Sequence, residues 1–209
     1  MKILVFGASG ATGHELVKQA LLQGHIVTAF ARTPAKLTIT HHNLSVIPGD
    51  VVNYKIVADT VKEQDAVISA LGAASPFRYD QSVTDGVSNI IKAMERHSVE
   101  RFIYMSFAGV KDARNKAGFL IRHILSKILA TEIRGHETRE NIIRRSSLQW
   151  TIVRPTTLTN GKHSSQFRSG EEISTNRFTS TISRADVADF MLRQVGDNRF
   201  VKKEPLVMY

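Results

Sequence analysis

Cysteine is absent from all 209 residues of the chain. Its absence excludes disulfides, thiolate nucleophiles and cysteine-ligated metals, and fits a reducing compartment. Long apolar runs are also missing: no stretch approaches the ~20 residues that carry a helix across a bilayer. Met1-Lys2 is followed by a few apolar residues and then by glycines, too little for the apolar part of a secretion signal. The expectation is a cytoplasmic protein without integral membrane association. Aromatic residues are sparse at 7%, and no stacking pattern accompanies the basic residues, which speaks against nucleic acid as a partner. Acidic residues are outnumbered, 19 against 28 Lys and Arg, for a net charge of +9. The excess is local. Residues 1–100 hold nine basic and nine acidic side chains, 101–154 eleven and four, and 155–209 eight and six. The basic residues of the middle segment are interleaved with Leu and Ile at core spacing, so a solvated helix face is preferred over nucleic acid, with an acidic ligand or an anionic surface as further alternatives.

What the chain does have, at its start, is Gly7-Ala8-Ser9-Gly10-Ala11-Thr12-Gly13 directly behind Ile3-Leu4-Val5-Phe6. The apolar run reads as a buried strand. Leu16, Val17, Ala20 and Leu21 follow with helical spacing, so the glycines sit on a strand-to-helix turn. Lacking Cβ atoms, they let backbone N–H groups approach a pyrophosphate at the positive end of the helix. The spacing is G-x-x-G-x-x-G, one residue longer in its first gap than the G-x-G-x-x-G dinucleotide fingerprint. His14 and Glu15 follow Gly13, so no lysine reaches terminal phosphates as in an ATP-binding P-loop.

Beyond this turn, helices and strands alternate. Strands are expected at His25–Ala31, Leu44–Ile47, Asp65–Leu71, Arg101–Met105 and Trp150–Val153, the last broken by Arg154-Pro155. Helical spacing covers Thr12–Gln23, Ile56–Val61, Asp80–His97 and Arg184–Val195. The pattern predicts an α/β fold of Rossmann type, a doubly wound parallel sheet with helices on both faces, in a single domain over 1–209. Residues 155–183 are read as an excursion forming a small C-terminal substrate lobe. In such a sheet the ligand crevice lies at the carboxyl ends of the strands, where the order reverses. About 20 residues after the glycines an NAD-binding protein commonly places an acid on the ribose 2′-hydroxyl; this chain places Arg32 there, with Lys36 after Thr33-Pro34. A guanidinium pairs with a 2′-phosphate, so NADP(H) is preferred over NAD(H). Asp50 is assigned either to the adenosine or to capping the next helix.

Taken together, Gly7, Gly10, Gly13, Arg32, Gly49-Asp50-Val51, Leu71-Gly72, Ser106, Glu140 through Pro155 and Ser183-Arg184-Ala185-Asp186-Val187-Ala188 resemble the atypical short-chain dehydrogenase/reductases. The likeness is to their NAD(P)H-binding, NmrA-like group and especially to the biliverdin reductase B/flavin reductase branch. It spans nearly the whole chain. It implies that Gly7, Ser9, Gly10, Ala11, Thr12 and Gly13 hold the phosphates, Asp50 and Val51 lie by adenine, Leu71 and Gly72 along the adjoining ribose, and Ser106 and Pro155 near nicotinamide. The departure is chemical: none of Tyr54, Tyr79, Tyr104 or Tyr209 has lysine four positions later, so the Tyr-x-x-x-Lys of the superfamily is missing. His136 stands where related reductases often have that lysine.

A ketone that receives hydride becomes a basic alkoxide and benefits from a positioned proton donor. A flavin or quinone spreads the charge over a conjugated ring and is less demanding. The missing tyrosine therefore favours an NADPH-dependent reductase of a flavin- or quinone-type small molecule. The candidate catalytic residues are Ser106, as a hydrogen-bond donor, and His136, as a weak acid or orienting group. The alternatives are a noncatalytic NADP(H)-binding redox sensor and a nucleotide-using epimerase or isomerase. No metal is expected: His136-Glu137-Thr138-Arg139-Glu140 lacks the second histidine of H-E-x-x-H, and His41-His42 has no further spaced ligands. The amphipathic run Phe119–Leu129 is assigned to packing on its own sheet or lobe, with membrane contact or a homodimer seam as the alternatives.

Overall fold

The computed structural model describes residues 1–72, 80–108, 134–173 and 181–209. The run Phe119–Leu129, and with it the dimer seam, lies outside the described residues, as does Tyr79. The elements are β1 (Lys2–Phe6), α1 (Ala11–Leu22), β2 (Ile26–Ala31), β3 (Leu44–Pro48), α2 (Tyr54–Val61), β4 (Ala66–Ser69), α3 (Gln81–Arg96) and β5 (Arg101–Met105). They continue with α4, a helix over residues 134–144, and then β6 (Gln149–Pro155), β7 (Thr157–Thr159), β8 (Arg168–Gly170), β9 (Thr181–Ser183), α5 (Arg184–Arg193) and β10 (Leu206–Met208).

Eight strands form one sheet in the order β3-β2-β1-β4-β5-β6-β10-β8. All neighbours are parallel except β10 and β8. Along β1, successive side chains alternate between faces. Ile3 and Val5 enter a core with α1 and α5; Leu4 and Phe6 enter a second core with α2, α3 and Ile143 of α4. All four are fully buried, which is why the strand reads as an uninterrupted apolar run rather than an alternating one. The sheet order jumps from β1 to β4, and that gap between crossovers opens the crevice at the strand carboxyl ends.

Three expectations are corrected. Arg154-Pro155 does not break β6, which runs to Pro155. Arg154 N and Thr156 N donate to Pro205 O and Val207 O at 2.9 and 3.2 Å. The proline nitrogen thus faces the side where β5 has ended, and no ladder donor is lost. Asp50 does not cap α2: Asn53 does, accepting from Ile56 N at 3.3 Å, while Asp50 Oδ1 accepts from Val52 N at 3.2 Å in a local turn. The basic segment 101–154 is not a solvated face throughout. Arg101, Arg139 and Arg154 are 6%, 2% and 3% exposed. Arg101 donates to Gln194 O, Gln149 O and Thr151 Oγ1, and burial pulls its pKa down to about 10.

Of the stretch 155–183, the described part supplies β7, paired parallel with β9 in a separate two-stranded sheet, and β8, the outermost strand of the main sheet. The loop between β7 and β8 is held down by α5. Asp186, at the first turn of that helix, accepts from Ser164 N, Ser165 N, Ser164 Oγ, Ser183 Oγ and Tyr209 OH.

Candidate functional site

A cleft of about 260 Å³ lies at the carboxyl ends of β1, β2, β3 and β4. Of the residues expected to bind a dinucleotide, Gly7, Ser9, Gly10, Arg32, Lys36, Asp50, Val51, Leu71 and Gly72 all line it. They come from four separate stretches of sequence and meet because those strands end on the same rim. Ala11, Thr12 and Gly13 form the first turn of α1 behind them. The cleft also takes in Phe30, Gly49, Ala70, Ser82 and Val83, which sequence reasoning missed. The signal for Ser82 was present: Asp80 caps α3 by accepting from Ser82 N, and its pKa is lowered first by the Ser82 hydroxyl bond and also by the charge of Arg32.

The glycine turn is built for close approach. Gly7 has φ +75°, and a Cβ there would lie 2.7 Å from Ala70 O; a Cβ on Gly13 would lie 2.0 Å from Gly7 O. The turn folds back on itself through Gly10 N donating to Gly7 O at 3.0 Å. Gly10, the N-cap, brings no side chain to the first amides of α1, and the first turn carries no acid. The amides that a helix leaves unsatisfied at its start are therefore free to meet an anion. Arg32 and Lys36, both exposed, flank the other end of the cleft.

Beyond the cleft, the same rim continues across the sheet. Ser69 pairs with Tyr104 and Tyr104 with Ile152, so Leu71, Ser106 and Arg154, each two residues further on, stand at one level. With strands ~4.8 Å apart, the rim from β1 to β6 runs ~14 Å. Ser106 N is fixed by Val153 O at 2.8 Å. Its hydroxyl donates to Glu140 Oε1 at 2.7 Å and lies 3.2 Å from His136 Nδ1. Glu140, fully buried, also accepts from Arg154 Nε at 3.0 Å, Arg154 Nη2 at 2.6 Å and Arg144 Nη2 at 2.7 Å. Glu204, just before β10, bridges to Arg144 and, at 2.8 Å, to Arg154. His136 is 8% exposed rather than on the surface. Burial, with the nearby charge of Arg139, holds its pKa down at about 3. It is neutral at pH 7 and meets Ser106 as a hydrogen-bonding imidazole.

The sequence analysis missed the roles of Glu140, Arg144, Arg154 and Glu204. The spacing held a signal: His136, Glu140 and Arg144 recur every four residues along one helix face, and an arginine inside an apolar strand needs a carboxylate. Pro155 is buried beside this group, and the hydroxyl of Thr156 is buried without a partner among the described residues. Tyr104 is not a displaced catalytic tyrosine. Its ring is fully buried in the second core, its hydroxyl accepts from Arg139 Nε at 2.9 Å, and burial raises its pKa.

His163, Asp186 and Asp189 bring one ligand atom each within 4.8 Å of one another. These groups are engaged with protein: Asp189 pairs with Arg193 and Ser165, His163 with Asp189, and Asp186 with the loop above it.

A family model described as NAD(P)H-binding matches residues 7–198. The chain belongs to the NAD(P)H-binding family. The uncharacterized protein YwnB of Bacillus subtilis is 28% identical over 202 residues, covering 93% of this chain and 92% of that one. The fold matches the oxidoreductase ylbE of Lactococcus lactis with a TM-score of 0.83 at 21% identity, over 99% of this chain and 90% of that one. It also matches a short-chain dehydrogenase/reductase of Veillonella parvula in complex with NADP, with a TM-score of 0.79 at 22% identity, over 99% and 93%. These likenesses agree with the Rossmann-type sheet. Among the described residues, no helix of this NAD(P)H-binding chain is long and apolar enough to cross a membrane.

Proposed function

We propose that the protein is an NADPH-dependent reductase that passes hydride to a flavin- or quinone-type acceptor. The observation that carries this reading is the pairing of two half-sites on one rim. One end of the cleft offers Arg32 and Lys36; the other continues to Ser106 and His136, where Tyr104 is fully buried against Arg139 and Tyr209 is engaged by Asp186.

The residues fit the dinucleotide. Gly7 and Gly13 let the turn fold closely on backbone where a Cβ would collide, the uncapped amides at the start of α1 would receive the phosphates, and the orphaned Thr156 hydroxyl beside Pro155 would serve the nicotinamide amide. Arg32 and Lys36 hold the 2′-phosphate, Asp50 and Val51 flank adenine, and Leu71 and Gly72 flank the ribose. Bound nicotinamide supplies the hydride. The protein orients the acceptor against the rim through Ser106 and His136. Because His136 carries no spare proton at pH 7, the proton that balances the reduction comes from water. A conjugated ring tolerates this where a simple ketone would not. The same absence of an acid supports the second reading, a noncatalytic NADP(H) sensor.

Anaerobic mixing with NADPH and riboflavin, FMN or menadione separates the two. Acceptor-dependent loss of nicotinamide absorbance is expected of the reductase, whereas tight NADPH binding without turnover of any acceptor indicates the sensor. Arg32→Ala is expected to lower the NADPH:NADH affinity ratio by roughly tenfold to a hundredfold, the worth of charge-assisted hydrogen bonds. An unchanged ratio would show that Arg32 does not read the phosphate.

A further inference from the structure

We infer that Glu140 sets the tautomer of His136 through Ser106, leaving His136 Nε2 as a bare acceptor, and that the site therefore selects an acceptor molecule presenting an N–H, the imide of an isoalloxazine ring, over a quinone. The second half rests on the reductase reading; the first does not.

Glu140 fixes the direction of every bond around it. A carboxylate offers lone pairs and no proton, and four contacts converge on this one: Arg154 twice, Arg144, and the Ser106 hydroxyl at 2.7 Å. Guanidinium groups cannot accept, so both carboxylate oxygens act as acceptors. Serine has a single hydroxyl proton, and the short contact to Glu140 Oε1 uses it. The 3.2 Å contact between Ser106 Oγ and His136 Nδ1 must then run the other way, with Nδ1–H donating to the serine oxygen. A neutral imidazole carries one N–H. Nε2 therefore has a lone pair and no proton, and among the described residues nothing hydrogen-bonds to it.

The direction of each bond is thus relayed from Arg154 and Arg144 to Glu140, Ser106 and His136. The relay is rigid. Glu140 is fully buried, Ser106 is 5% exposed, and its backbone is fixed to β6. Glu140 is a positioning residue: it acts through Ser106 and does not reach the rim itself.

The consequence is selectivity by polarity. A para-quinone presents carbonyl oxygens only, and a lone pair on Nε2 repels them. An isoalloxazine presents an imide N–H between two carbonyls, and that N–H survives reduction of the ring, so the contact serves substrate and product alike. Leaving such a polar group unpaired on binding costs more than a made bond gains, which is how one acceptor atom discriminates.

The tautomer is read by two-bond 1H–15N correlation spectra of the full chain labelled at histidine. At pH 7, His136 is expected to show a protonated Nδ1 and an unprotonated Nε2. In Ser106→Ala the relay is cut while the Glu140–Arg154 pair remains, and the fixed Nδ1–H signature is expected to disappear. A protonated Nε2 in the native protein, or an unchanged signature in Ser106→Ala, overturns the relay.

The substrate half is read by flavin fluorescence quenching on protein saturated with NADP+, where no turnover occurs. Riboflavin is expected to bind roughly tenfold more tightly than N3-methylriboflavin, and His136→Ala is expected to bring the two together. Equal binding to the native protein, or no binding of riboflavin, overturns the selectivity. Selective riboflavin binding with no oxidation of NADPH would sink the reductase reading alone and leave this one standing.

Discussion

At the scale of single residues, the glycines divide by what they are for. Gly24 ends α1 with φ +78° and open space around its α-carbon, so Gly24→Ala is expected to cost only the ~1 kcal/mol of a left-handed backbone. Gly13 has an ordinary backbone but no room, since its added Cβ would meet Gly7 O at 2.0 Å. Gly13→Ala must displace the turn. The expected outcome is a loss of about 1–3 kcal/mol in a denaturant melt and more than tenfold weaker NADPH binding by titration calorimetry; a variant that binds as well as the native protein would show that the turn does not cradle the phosphates. The two substitutions look alike on paper. They differ because one glycine answers a torsion and the other answers a neighbour.

At the scale of elements, the parallel strands nearest the glycine turn were legible because each is buried on both faces and bounded by a turn signal. Arg101–Met105 was read to the residue. The two strands beyond β6 were not. β8 and β10 are three residues each, too short for any period to show, and β8 sits within the polar stretch that reads as an excursion. What makes β10 a strand is its slot between β6 and β8: Val207 and Met208 are fully buried there. Met208→Ala is therefore expected to cost roughly 3 kcal/mol, seen as a fall in Tm of about 10 °C for a domain of this size. A shift below about 2 °C would mean that β10 is dispensable. In the site, the cofactor half was legible because a phosphate needs glycine and a cation at fixed offsets. The relay was not, because Glu140, Arg154 and Glu204 come from three elements whose meeting depends on the whole sheet.

At the scale of the whole molecule, His136 and Asp186 are among the described groups that make stability fall in acid, each over its own range. His136 is held neutral down to a pKa of about 3 by burial and by Arg139, whereas an unfolded histidine titrates near 6.5. Between those values the unfolded chain binds the extra proton, so stability drops as pH falls from about 6.5 towards 3. Asp186 acts lower. Burial alone would raise its pKa, but hydrogen bonds from Tyr209, Ser164 and Ser165 win and bring it to about 2. Its contribution is present above the unfolded carboxylate value of about 3.9 and is lost as pH falls towards 2. His136→Gln is expected to flatten the first limb of a pH-dependent urea series and leave the second; Asp186→Asn should do the reverse. Merged limbs that respond equally to both variants would refute the assignment.

The placement of Glu204 has one more consequence. Synthesis delivers a protein from its amino end, and here the second carboxylate on Arg154 and the strand against which β8 pairs both arrive after every other part of the rim. On the ribosome the cleft around Gly7 and Arg32 has all of its lining strands early, but the clamp behind Ser106 stays half built, with an arginine awaiting its partner. The helix that carries the glycine turn likewise packs on α5, so both halves of the rim close only once the last tenth of the chain has emerged.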